Sequence, residues 1–240
     1  MYGIKLGDGR YQDRMNIDPK INEQAQAVER IHFVKTDRRV SPKKTNPFLY
    51  LPGKRPILLS APHSVRHLRE KKIKSSDEFT GSLVYLLHQV TDCHALSVTK
   101  LYGGDPNFDD PCIYKDTIAE IAGSHEIKMV LDIHGAKREH DFDIDLGTMQ
   151  GKSLLNQGQI SSWVKNKLQE EGLTNISLNY FPAQQQNTVT RFVAEKLKIP
   201  GLQWEINRKY RSPHQNGTDY LLLFRALAHV IVLLEGQINS

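Results

Sequence analysis

The chain has 240 residues, 39% of them hydrophobic, which is enough for one full α/β core. Two cysteines, Cys93 and Cys112, exclude a disulfide scaffold and lack the paired spacing of a cysteine zinc site. The net charge of +5 comes from basic runs such as Arg69-Glu70-Lys71-Lys72, broken by acids. These read as a solvated surface, since no zinc finger, RNP-type aromatic motif or heptad-linked basic region accompanies them, and a non-enzymatic nucleic-acid-binding protein stands only as a distant alternative.

In chain order, the first fifty residues are polar and are expected to form an extension packed on the sheet, with a short helix at 22–30 and a strand at 31–34. From Pro56 apolar runs alternate with helical patterns. Residues 57–61 read as a buried strand, and Phe79, Leu83, Leu86, Leu87 and Val90 share a helical face. A strand at 95–99, a helix at 114–121 and a strand at 128–133 follow. Next come a strand at 142–147, a helix at 153–168, a strand at 176–180, a helix at 189–197 and a strand at 202–206. The run 226–234 reads as a buried C-terminal helix too short to span a bilayer. Strand alternating with helix predicts an α/β fold over 1–240 as one domain. The first residues show no export signal, so a cytoplasmic location without a membrane partner is expected.

In such sheets ligands bind beyond the carboxyl ends of strands. That rule selects Pro62-His63-Ser64, Asp132-Ile133-His134-Gly135, and Glu205 with Asn207 and Arg208. Two imidazoles and a carboxylate from different strand ends form an open protein-ligand set of the kind that holds catalytic zinc, with His63 and His134 as the imidazoles. The acid is expected within Ser75-Ser76-Asp77-Glu78, at the start of the next helix. Asp77 stands slightly ahead of Glu78, because Ser75-x-x-Glu78 also fits a capping box. Asp132 shares a strand face with His134 and is expected to orient it. The acids Asp141, Asp143 and Asp145 alternate along the strand predicted at 142–147 and read as a solvated edge.

The pieces Ser60-Ala61-Pro62-His63-Ser64, Asp77-Glu78-Phe79-Thr80-Gly81, Leu131-Asp132-Ile133-His134-Gly135 and Gln203-Trp204-Glu205-Ile206-Asn207-Arg208 together resemble the N-formylglutamate amidohydrolase family. The resemblance covers about 56–211. It implies a three-layer α/β/α fold of the zinc-carboxypeptidase kind, with a mostly parallel or mixed central sheet. It further implies one Zn2+ per chain on His63, Asp77 or Glu78, and His134, with Glu205 as general base. The reaction implied is hydrolysis of an amide on an N-acyl amino acid or similar small acidic compound; a metallopeptidase or de-N-acylase acting on peptides is the alternative. Two departures stand out: Val65 replaces the family's Gly. The family's Asp-x-Asn-Arg segment is Asp105-Pro106-Asn107-Phe108 here, which keeps Asn107 as a substrate contact and loses the Arg that would grip a substrate carboxylate. Arg208 or Arg211 is the expected replacement, since a guanidinium fork matches a carboxylate.

Overall fold

The computed structural model describes residues 17–18, 20–34 and 46–238. Its centre is a seven-stranded sheet. The strands are β1 (Phe48–Leu51), β2 (Arg55–Ala61), β5 (Cys93–Val98), β6 (Met129–Ala136), β7 (Ile144–Gly147), β8 (Ile176–Leu178) and β9 (Gly201–Asn207), in the spatial order β1-β5-β2-β6-β9-β7-β8. The inner block β5-β2-β6-β9 is parallel, while β1 and β7 run antiparallel to their inner neighbours. A separate hairpin, β3 (His67–Arg69) with β4 (Lys72–Lys74), stands over one end of β2.

The period-2 alternation of strand side chains divides the core in two. Ile57, Leu59, Met129, Leu131, Ile133, Leu202 and Trp204 face one core, shared with helices α1 (Ile21–Val28), α2 (Thr80–Thr91), α4 (Gln159–Glu170) and α6 (Gly217–Ile238). Leu58, Leu96, Val98 and Val130 face a second core under α3 (Ile113–Ser124) and α5 (Val189–Phe192). The architecture is therefore three-layered, α/β/α, around a mixed sheet. Fully burying one such aliphatic side chain contributes roughly 1.5–3 kcal/mol, so β2 and β6, buried on both faces, are stiff supports for whatever stands at their ends.

From β2 the chain crosses through α2 to β5 on one side, then through α3, on the opposite face, to β6 on the other. That reversal opens a crevice beyond the carboxyl ends of β2 and β6, the place where open α/β sheets bind ligands.

Several elements differ from the sequence expectation. Residues 31–34 do not form a strand; Glu29–Val34 continues α1 as a π-helical segment. Helix α4 starts only at Gln159, and Lys152–Leu154 is a separate 3-10 turn. The C-terminal apolar run belongs to a 22-residue helix with an 18-residue stretch of mean hydropathy 1.8, long and apolar enough to cross a bilayer by length and composition. Its ten buried residues, Tyr220 and Phe224 among them, pack in the first core. Strand β1 and the β3–β4 hairpin were not expected. The basic run at Arg69 is the tip of that hairpin: Glu70 and Lys71 both have positive φ (51° and 63°), as a two-residue hairpin turn with matching twist requires. Finally, β7 is an inner strand, not an edge, and Asp145 is fully buried. Its carboxylate accepts from Ser177 Oγ at 2.6 Å and from the Tyr180 and Phe181 amides at 3.1 and 2.8 Å, which fixes the loop after β8.

Candidate metal centre

His63 stands two residues beyond β2 and His134 near the end of β6. The loop between the hairpin and α2 brings Asp77 to them: the Asp77 amide donates to the His63 carbonyl at 2.8 Å, and the Asp77 carbonyl accepts from the Thr80 hydroxyl at 2.7 Å. The Phe79 amide, held in the left-handed region at φ 66°, donates to buried Glu29 at 3.0 Å. Such strain in a bulky residue persists only where the surroundings enforce it. Helix α2 consequently begins at Thr80 without a side-chain cap, so the Ser75-x-x-Glu78 capping box does not form.

The Asp77 Oδ2 atom lies 3.7 Å from His63 Nδ1 and 3.3 Å from His134 Nδ1. Donors about 2.0–2.2 Å from a tetrahedral ion stand roughly 3.4 Å apart, so the spacing of this trio suits a zinc-sized cation. Each imidazole is also held from behind. His63 Nε2 is 2.9 Å from Asp105 Oδ1, and His134 Nε2 is 3.2 Å from Asp132 Oδ2. Asp132 is in turn held by Ser60 Oγ at 3.2 Å and Thr190 Oγ1 at 3.3 Å, with Tyr114 bonded to Ser60 at 3.0 Å. Carboxylates behind imidazoles fix ring orientation and strengthen ligation, so the donor set fits a metal.

A second trio, His63, His67 and Asp105, has similar donor spacing. Its donors are already engaged with one another: Asp105 Oδ1 takes His63 Nε2, and Asp105 Oδ2 takes Arg69 Nε at 2.5 Å and lies 3.4 Å from His67 Nε2. Only the first trio lines, in all three members, the cavity at the sheet end. We therefore read His67 and Asp105 as the support behind His63. His67 stacks on its ring at a centroid distance of 3.9 Å.

That cavity, about 530 Å³, is also lined by Glu205, Gln203, Asn107, Arg69, Phe181 and Gln186, among others. In the β6–β9 register Glu205 pairs with His134, so the two side chains stand side by side on one face. Burial pushes the Glu205 carboxyl from an ordinary 4.5 up to about 7. Burial would likewise raise Asp77, but hydrogen bonds from His134 and His63 hold it far below the usual range. Burial works against the charged form of both histidines too, yet Asp105 and Asp77 raise His63, and Asp132 raises His134 well above its ordinary value.

Of the residues read from sequence, His63, Asp77, His134, Glu205 and Asn107 meet around this cavity, with Asp132 directly behind His134. Asn107 Nδ2 lies 2.9 Å from His134 Nε2, and its Oδ1 accepts from the Val189 amide at 2.9 Å. Glu78, Arg208 and Arg211 are not among the lining residues. Glu78 instead accepts from Arg208 at 2.6 Å at the surface. The Arg211 guanidinium is buried against backbone, bonded to the carbonyls of Ile206, Ala136 and Glu78. It lies so close over Gly135 that a Cβ there would stand 2.5 Å from Arg211 Cζ. Its part in the structure is thus to tie β6, β9 and the Glu78 segment together.

No protein-family profile and no curated protein matches this sequence. Solved structures do match. An N-formylglutamate amidohydrolase from Ralstonia eutropha JMP134 is similar over 81% of this chain and 99% of its own, at 14% identity and a TM-score of 0.61. The chain shares that fold. A gene product of Agrobacterium tumefaciens matches over 89% of this chain and 98% of its own, at 13% identity and a TM-score of 0.55. A metallo-carboxypeptidase from Pseudomonas aeruginosa matches over 80% of this chain and 61% of its own, at 11% identity and a TM-score of 0.50. The fold expected from the resemblance in sequence, a zinc-carboxypeptidase-like α/β/α sandwich, is therefore the fold observed.

Proposed function

We propose that the protein is a zinc-dependent hydrolase that cleaves an amide bond in an N-acyl amino acid or a similar small acidic amide. The observation carrying this reading is the convergence of His63 Nδ1, His134 Nδ1 and Asp77 Oδ2 beside the Glu205 carboxylate in one cavity. His63, Asp77 and His134 would hold one zinc ion, with Asp105 and Asp132 orienting the imidazoles. Zinc, when bound, brings the pKa of a coordinated water near ~7 and polarises the scissile carbonyl.

Glu205 does the proton work. Its ionised carboxylate takes a proton from the attacking water, and the protonated acid then delivers it to the departing amine nitrogen. One group serves both steps because its pKa is raised into the working range. Gln203 Nε2, 3.2 Å from Glu205 Oε1, holds the carboxylate toward the cavity. The test is a screen of N-acyl amino acids and short peptides for zinc-dependent amine release. Turnover of acyl-amino acids above peptides supports the proposal, and the reverse order would make the protein a peptidase.

Two outcomes follow from the surroundings of the site. Asp132→Asn removes the charge behind His134 and is expected to weaken zinc binding roughly 10- to 100-fold, read by competition with a chelating dye. The pH profile of kcat/KM should have an acid limb set by Glu205. A general base works only when ionised, so activity is present above its pKa and lost as pH falls through it. The limb is expected between 4.5, the ordinary value, and about 7, the value set by burial, because a bound cation favours the ionised form. In Glu205→Gln the residual rate should lack this limb; an unchanged limb would assign it to another group.

A further inference from the structure

Arg69 is a cation of this cavity that the proposed reaction does not use. It sits at the end of β3 with its side chain largely buried and lines the cavity beside His63 and Asn107. Its Nε donates to Asp105 Oδ2 at 2.5 Å, and its guanidinium carbon lies 5.6 Å from the centre of the Phe108 ring. An acid on one edge and an aromatic face against the plane fix a guanidinium in orientation. Among the described residues neither terminal nitrogen has a hydrogen-bond partner, so the donor edge away from Asp105 is available.

The charges around the cavity point the same way. Its lining acids are Asp77, turned to the two imidazoles, and Glu205, in register with His134. Among the described residues, Arg69 and Lys137 are the other charged residues of the lining besides the histidines His63, His134 and His140, and both are cationic. An oriented fork of this kind is complementary to a planar anion of matching width.

We infer that Arg69, clamped by Asp105 over Phe108, binds a carboxylate of the substrate and sets the specificity of the site for acidic amides. The inference rests on the proposed hydrolase reading for the word substrate, but the binding itself does not depend on turnover. Arg69 does this from the unexpected hairpin, while Arg208 and Arg211 are engaged with Glu78 and with backbone.

The test measures binding to the metal-free protein, so that a metal cannot bind the carboxylate. N-acetyl-L-glutamate and its uncharged diamide are titrated calorimetrically into wild type, Arg69→Met and Arg69→Lys. Wild type is expected to prefer the acid by at least about tenfold, the scale of a charge-assisted hydrogen bond. Arg69→Met should bring the acid-to-amide ratio near one, and Arg69→Lys, which keeps charge but not the fork, should fall between. Zinc affinity of each variant is measured alongside. A ratio that persists in Arg69→Met overturns the inference. So does a fall in zinc affinity with the ratio intact, which would make Arg69 a positioning residue for Asp105 and His63. Wild type that does not distinguish acid from amide overturns it as well. Failure of the hydrolase reading would look different: acid binding would remain, with no zinc-dependent amine release.

Discussion

His63→Ala and His134→Ala are each expected to abolish tight zinc binding while leaving a folded chain. Each imidazole contributes its Nδ1 to the Asp77 Oδ2 point, at 3.7 and 3.3 Å. Two donors without the third make an incomplete set, and the loss should exceed the roughly 10- to 100-fold that removal of an outer partner costs. Folding should survive because both histidines lie at the ends of strands whose cores are elsewhere. Asp77→Ala should behave like the histidine variants, and Glu78→Ala should keep its metal, because the Glu78 carboxylate is turned outward to Arg208. Metal content after dialysis, with thermal unfolding as a folding control, reads all four variants. Retention of stoichiometric zinc by both histidine variants would remove the proposed centre.

Glu205→Gln is expected to keep zinc and substrate binding while turnover falls by about 10²- to 10⁴-fold, or more, since one carboxylate handles both proton transfers. Gln preserves shape and the Gln203 contact but has no basic site for the proton. Nearly wild-type turnover would leave the mechanism without its base. Loss of zinc in the same variant would instead make Glu205 a metal ligand.

How much of this could be read from sequence depended on distance along the chain. Apolar runs followed at once by Pro-His or Asp-x-His mark strand ends directly, because a strand's period and its terminus are local properties. The placement of His63, His134 and Glu205 near strand ends around one cavity was legible for that reason. Which of Asp77 and Glu78 faces the two histidines was not, because the path of that segment passes through a left-handed Phe79 held by Glu29, some fifty positions away in the chain. Arg69 and His67 were missed because a two-residue turn with positive φ at Glu70 and Lys71 carries no glycine or asparagine to announce it. Arg69 thus looked like one more surface charge. Arg211 has the opposite history: only the bare Gly135 opposite its guanidinium hints that it is buried as a tie between strands. Asp145 was read as an edge residue because strand order is a tertiary property, and β7 lies between β9 and β8.

The most direct measurement of the central claim is a zinc titration of chelator-stripped protein, with amine release from an acyl-amino acid followed at each addition. The account predicts no activity without metal, a linear rise on addition, and saturation at one zinc per chain. Hydrolysis undiminished by stripping, or no hydrolysis of any acyl-amino acid or peptide at full zinc occupancy, would contradict it.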